Sequence, residues 1–172
     1  GWLFNTRYDL LRKAYSRFKI NKSYLKFEQD NLDWLDDYAL FMALKVKNNF
    51  CEWTKWNKEE KDVNLARKNK DTLLDEINFW KFIQFKFFEQ WKKLVKYAHS
   101  KKILIIGDMP IYVAHDSMDV WKNKEQFLLD ENYNPVVVAG CPPDGFTPDG
   151  QLWGNPIYNW EKMEAENFAW WI

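Results

Sequence analysis

Residues 72–99 constrain this chain more than any other stretch. Ile77, Trp80, Ile83, Phe87, Trp91, Leu94 and Ala98 recur every three or four residues, which predicts one long helix. Phe82, Phe85, Phe88 and Val95 widen its apolar surface well beyond a single stripe, so the helix requires neighbours on two sides. Thr72 and Asp75 supply a Thr-x-x-Asp start signal. Lys101 and Lys102 follow as a hinge, and Ile103 to Ile106 form an unbroken apolar run. Continuous apolarity predicts a strand over 103–107 buried on both faces, as in a parallel sheet. A helix feeding such a strand, then an elaborated loop and another helix, is one step of an α/β architecture.

Upstream of that step the pattern is helical. Leu10, Leu11, Ala14, Tyr15 and Phe18 predict a helix over 7–19. Leu35, Tyr38, Ala39, Met42 and Val46 predict another over 30–47, started by Asp30 or Asn31. Asp36 and Asp37 read as lying on a solvated face or at the rim of the insertion, and a short helix is expected near 58–68. Downstream, Phe127–Leu129 and Val136–Val138 predict a hairpin turning through 130–135. Residues 140–158, with Pro142, Pro143, Pro148, Pro156 and four glycines, read as a long loop, and such loops in compact domains are usually functional. Residues 160–172 read as the opening of a helix cut through near the apolar end Phe168-Ala-Trp-Trp-Ile172. The expected division is a helical insertion region at 1–70 and a segment at 71–172 carrying the helix, the strand, the loop 108–158 and the next helix.

Composition narrows the functional classes. Twenty-five basic residues match 25 acidic ones, so there is no nucleic-acid footprint. No apolar run reaches membrane-spanning length, and the start is not a signal peptide. Cys51 and Cys141 make no disulfide framework and suit a reducing, cytoplasmic setting. His99 and His115 lie in no ligand-spaced cluster, so neither a metal nor another cofactor is expected, and His115 reads as a surface residue. Eleven tryptophans and 19% aromatic content have two readings: a core of large rings for about three quarters of them, and ring faces for sugars in the remainder.

The site candidates cluster after the strand. A carboxylate at a strand's carboxyl end, Asp108, either accepts hydrogen bonds from a ligand or orders its own loop. In the loop, Asp144, Gln151 and Asn155 offer planar polar groups to vicinal hydroxyls, and Phe146 and Trp153 offer ring faces. Trp153 reads equally as a brace for the loop. Asp116-Ser-Met-Asp-Val-Trp121 reads as a cap followed by a packed tryptophan.

Four runs together resemble one family: Gly107-Asp-Met-Pro-Ile111, Asp116–Trp121, Ala139-Gly-Cys-Pro-Pro-Asp-Gly-Phe146 and Gly150-Gln-Leu-Trp-Gly-Asn-Pro156. They resemble the 4-α-glucanotransferases, the amylomaltases or disproportionating enzymes. Trp34–Lys45 and Gln84–Trp91 share the resemblance and read as packing. It implies a fragment of a (β/α)8 barrel, with about one barrel strand, an inserted helical region and a loop leaning over a glucan. It implies transfer of α-1,4-glucan segments between maltodextrins, substrate contacts from Asp108, Asp144, Phe146, Gln151, Trp153 and Asn155, and no cofactor. Gly145 departs from the tyrosine many relatives carry, which removes a stacking contact and loosens the loop.

Retaining chemistry needs two carboxyl groups roughly 5 Å apart. The family's nucleophile lies in an Arg-x-Asp-His-type segment, and no such run occurs in this sequence. The resemblance therefore implies substrate positioning without catalytic groups, and an isolated chain without transferase activity. Two other readings stand beside it. One is a non-catalytic glucan-binding module. The other is a structural piece that self-associates through apolar faces such as helix 72–99, Trp171 and Ile172.

Overall fold

The computed structural model describes residues 2–172, with side chains from Thr6 onward. In chain order the elements are α1 (Trp2–Tyr15), α2 (Lys22–Asp30), α3 (Leu35–Lys47), α4 (Lys58–Lys61), α5 (Val63–Lys68), α6 (Leu74–Ser100), α7 (Met118–Lys122), β1 (Val138–Cys141), β2 (Gln151–Pro156) and α8 (Trp160–Ala165). They form two compact units, one from residues 1–47 and 67–107 and the other from 48–66 and 108–172.

The first unit is helical. Its frame is α6, against which α1, α2 and α3 pack. Leu35, Ala39, Leu40, Phe41, Ala43 and Leu44 make α3 almost wholly buried. Rings fill the contact with α1 and α2: Phe18 lies 4.9 Å from Phe82, Tyr24 meets Phe85 edge-on at 5.3 Å, and Tyr15 meets Phe79 at 5.6 Å. Leu10, expected on the buried face of α1, is exposed.

The helix expected over 30–47 is α3, which starts later, at Leu35, and a separate unexpected helix, α2, ends at Asp30 just before it. Asn21 caps α2 by accepting from the Tyr24 N–H at 3.0 Å. Asn31 ends it, donating to the Phe27 carbonyl and accepting from the Trp34 indole, so its side chain caps α2's end rather than α3's start. Asp37 is buried, not solvated. Arg67 grips it with two parallel bonds, Nε to Oδ1 at 2.9 Å and Nη2 to Oδ2 at 2.8 Å. Lys81 bridges Glu28 at 3.2 Å and Asp36 at 2.5 Å. The Thr72–Asp75 start signal is not used: Lys70–Leu73 form a 3-10 turn that runs into α6 without a side-chain cap.

At its other end α6 closes in a Schellman arrangement. Ile103 N–H donates to the Ala98 carbonyl, and Lys102 N–H to His99, with Lys102 at φ 59° in the glycine-favoured region. The hinge at Lys101-Lys102 is therefore a helix stop. The strand expected over 103–107 is absent. Those residues join no ladder, and Ile106 is 95% exposed. A ladder needs a neighbouring strand, and among the described residues no parallel strand pair occurs. Burial of α6 follows the same limit: Ile77, Phe79, Trp80, Phe82 and Phe85 are covered, whereas Phe87, Trp91, Leu94 and Tyr97 face outward.

The second unit is organised by tryptophans. Trp53 and Trp121 are fully buried. The Trp53 indole donates to the His115 carbonyl at 2.8 Å, and its backbone N–H to Asp116 at 3.2 Å. The Trp121 indole donates to the Glu60 carbonyl at 2.9 Å. Ser117 supplies the cap of α7. His115 is half-buried rather than on the surface, its Nε2 2.7 Å from the Tyr133 carbonyl. Lys124 donates to the Lys61 and Trp121 carbonyls over the Trp53 ring.

The laddered hairpin lies later than the apolar runs suggest. Over 126–139 the expected hairpin is present as a short turn without a ladder: Leu129 bridges Pro135, and Val136 N–H donates to the Leu128 carbonyl at 2.9 Å and Asp130 N–H to the Asn134 carbonyl at 2.8 Å. The ladder is β1 with β2, antiparallel, pairing Gly140 with Leu152 and Cys141 with Gln151. Gly140 explains the tight approach, since a Cβ there would stand 2.4 Å from the Gln151 carbonyl oxygen. Residues read as loop are thus a hairpin whose tip spans 142–150. The terminal helix is short: α8 stops at Ala165, and Asn167 and Phe168 take positive φ. Trp170 and Trp171 are partly buried against Tyr158 at 5.4 and 5.0 Å, so Trp171 is not the free apolar face expected. No helix of the described residues is long and apolar enough to cross a membrane.

Candidate functional site

Within the second unit, an open pocket of about 310 Å³ is lined by Asp108, Met109, Pro110, Ile111, Tyr112, Trp153 and Asn155. Three of the six residues expected at the site are therefore together. Sequence distance does not oppose this: β2 returns along the hairpin and lays Trp153 and Asn155 beside residues 108–112.

Each lining group has a defined role in the geometry. Asn155 Nδ2 donates to the Val113 carbonyl at 2.9 Å, which leaves its amide oxygen free of that bond. The Trp153 indole N–H donates to Gln151 Oε1 at 2.9 Å, so Gln151 fixes the ring's rotation from outside the pocket. Trp153 remains 46% exposed, enough to present a face. Tyr112 lies 6.2 Å from Trp153 and stacks at 5.8 Å and 18° on the buried Tyr158. Sequence reading missed Tyr112 as a lining residue. Its signal was its place four residues after Asp108, in the same Pro-stiffened run.

Asp144 and Phe146 do not line this pocket. Asp144 Oδ1 accepts the N–H groups of Phe146 at 2.8 Å and Thr147 at 2.9 Å, an Asx turn that shapes the hairpin tip. Phe146 is 93% exposed. Gly145 has open space around it, with nothing within 4 Å of the position a Cβ would take.

The Thr147 and Phe146 amides hold the Asp144 carboxyl below its ordinary value of 3.8. A lowered folded-state pKa gives stabilisation that is complete above the ordinary value and fades as pH falls through the lowered one. The tip is therefore expected to keep one conformation from neutral pH down to the ordinary carboxylate value, and to loosen only below it. Amide chemical shifts of Phe146 and Thr147 followed through an acid titration check this. A transition above the ordinary value would contradict it.

Two larger hollows lie elsewhere. One, about 460 Å³, is ringed by Lys58, Lys61, Lys122 and Lys124, and the other, about 510 Å³, has a floor of Phe27, Phe85 and Phe88. Neither combines an exposed ring with planar polar groups. The pocket at Asp108 does, and that combination suits a neutral polyhydroxylated ligand. Among the described residues no cluster of three metal-ligating side chains occurs.

Comparison with known proteins agrees with the motifs. A family model described as 4-alpha-glucanotransferase matches residues 1–172. The 4-alpha-glucanotransferase of Clostridium butyricum is 52% identical over 180 residues, covering all of this chain and 36% of that protein. That of Thermus thermophilus is 43% identical over 183 residues, again covering all of the chain and 36% of the relative. An amylomaltase from Streptococcus agalactiae, solved in complex with acarbose, superposes with a TM-score of 0.88 at 38% identity, over 98% of this chain and 35% of that one. The chain thus spans about a third of the length of these relatives. With the family model matched from the first residue to the last, the chain belongs to the 4-alpha-glucanotransferase family.

Proposed function

We propose that this chain is the glucan-positioning portion of a longer 4-α-glucanotransferase. In that enzyme an α-1,4 bond of a maltodextrin is cleaved with retention, and the glycosyl group is passed to the 4-hydroxyl of another glucan. The observation that carries this reading is the pocket that joins Asp108, Trp153 and Asn155 in a chain so similar to an amylomaltase holding acarbose. A sugar ring seated there would lay its C–H face on Trp153, while Asp108 and Asn155 pair with its hydroxyls. Asp144, Phe146 and Gln151 act at one remove. Asp144 sets the tip, Gln151 sets the indole, and Phe146 is a ring held outward for glucan extending past the pocket.

The same proposal includes a (β/α)8 barrel in the full-length enzyme, with residues 1–70 as the helical insertion, 71–172 as the barrel segment, and a cytoplasmic site of action. The nucleophile and the acid/base lie outside this chain. The test is an assay with maltotriose. The isolated chain is expected to release no glucose. In the full-length enzyme, Trp153→Ala is expected to raise KM about tenfold, the scale of a lost ring contact with its hydrogen-bonded support. Glucose from the pure chain, or an unchanged KM, would refute the proposal.

The outward Phe87, Trp91, Leu94 and Tyr97 of α6, with Ile103–Ile106, favour a second reading for the chain in isolation. Exposed apolar surface of this extent drives self-association. Light scattering on the isolated chain distinguishes oligomers from monomer.

A further inference from the structure

Residues 108–112 border the pocket, yet among the described residues no strand pairs with them. Their placement comes from side chains. Tyr158 Oη donates to the Ile111 carbonyl at 3.0 Å, and Asn155 Nδ2 donates to the Val113 carbonyl at 2.9 Å. The two acceptors flank Tyr112, in a bend of the chain. A phenol and an amide thus anchor a segment that no ladder holds.

The two donors differ in how firmly they are held. Asn155 sits at the end of β2, in the pocket itself. Tyr158 lies behind it and is 1% exposed. Its ring is clasped by Phe127 at 5.3 Å, Trp160 at 5.3 Å and Trp171 at 5.0 Å. Its remaining face carries Tyr112. Tyr112 therefore stands between an immobile ring and the exposed Trp153.

We propose that Tyr158 is a positioning residue for glucan binding: its hydroxyl on the Ile111 carbonyl and its ring beneath Tyr112 set where Asp108 and Tyr112 stand opposite Trp153. This rests on the reading of the pocket as a glucan site. Burial raises the Tyr158 phenol above its ordinary value, so it stays a donor at neutral and mildly alkaline pH. Phenylalanine keeps the ring contacts, so the substitution removes only the one hydrogen bond to the Ile111 carbonyl. Stability then changes little, while the bordering segment loses its fixed position.

The test is Tyr158→Phe in the full-length transferase, with Trp153→Ala as the control for the pocket. Tyr158→Phe is expected to raise KM for maltodextrin about fivefold while kcat stays within about twofold and the melting temperature barely moves. A melting temperature that falls with no change in KM would show a merely structural tyrosine and overturn the proposal. Unchanged KM in Tyr158→Phe, with KM raised by Trp153→Ala, would overturn the positioning role alone. Unchanged KM in both variants would overturn the glucan site, and the role of Tyr158 with it.

Discussion

Replacement of Trp121 by alanine is expected to cost about 3–5 kcal/mol, the range for deleting a large ring from a closed core. Trp121 is fully buried, meets Trp56 edge-on at 6.3 Å, and satisfies the Glu60 carbonyl through its indole N–H. Alanine leaves a cavity and an orphaned acceptor at one position. That pairing carries the residue from the α4 region to α7 within one unit, so local collapse cannot repair both losses. Against a domain stability of about 5–15 kcal/mol the second unit would be marginal. Urea unfolding followed by tryptophan fluorescence gives the value. A loss below about 1 kcal/mol would mean that the ring is not a structural keystone. Phenylalanine at this position refills most of the volume without the N–H and should recover part of the loss.

The second large effect belongs to the other unit. Arg67→Ala removes the fork that holds Asp37, a carboxylate only 6% exposed. The carboxylate stays buried and loses its guanidinium, the asymmetry that makes breaking such a pair costly. Arg67 is itself part-exposed, so the expected loss is about 2–3 kcal/mol, below the 3–5 kcal/mol of fully buried pairs. Lysine restores the charge but not the two parallel bonds, so Arg67→Lys should recover only part of it. Thermal unfolding monitored at the helical circular-dichroism band, for the two variants beside the parent, measures the difference. Equal stability of all three would contradict the account.

Helices were legible because their signal is local. The 3.6-residue period placed α6 within two residues at its start and one at its end. Where a helix breaks was less legible. Asn31 ends α2 by bonding Phe27, four residues back, and Trp34, three ahead, a choice that propensity does not encode. The run Ile103–Ile106 illustrates the opposite failure. An apolar run states a demand for burial, not its fulfilment, and this chain supplies no partner strand among its described residues.

The hairpin was hidden by its glycines and prolines. Gly140 and Gly154 read as loop residues. In the structure Gly140 permits close backbone approach and Gly154 takes φ 77° within β2. The candidate site was half legible. Motif order brought Asp108, Trp153 and Asn155 to one place, whereas the roles of Asp144 and Gln151 as supports emerge only from their hydrogen bonds. The places of Tyr112 beside the pocket and of Tyr158 behind it were not legible, because a tyrosine in an aromatic-rich sequence carries no signal until its neighbours are known.

The most direct measurement is a crystal structure of the full-length transferase with a maltodextrin bound. The account predicts a glucose ring against the Trp153 indole, with hydroxyls in hydrogen-bond reach of Asp108 and Asn155. A glucan seated elsewhere, with water filling the space between Asp108 and Trp153, would contradict it.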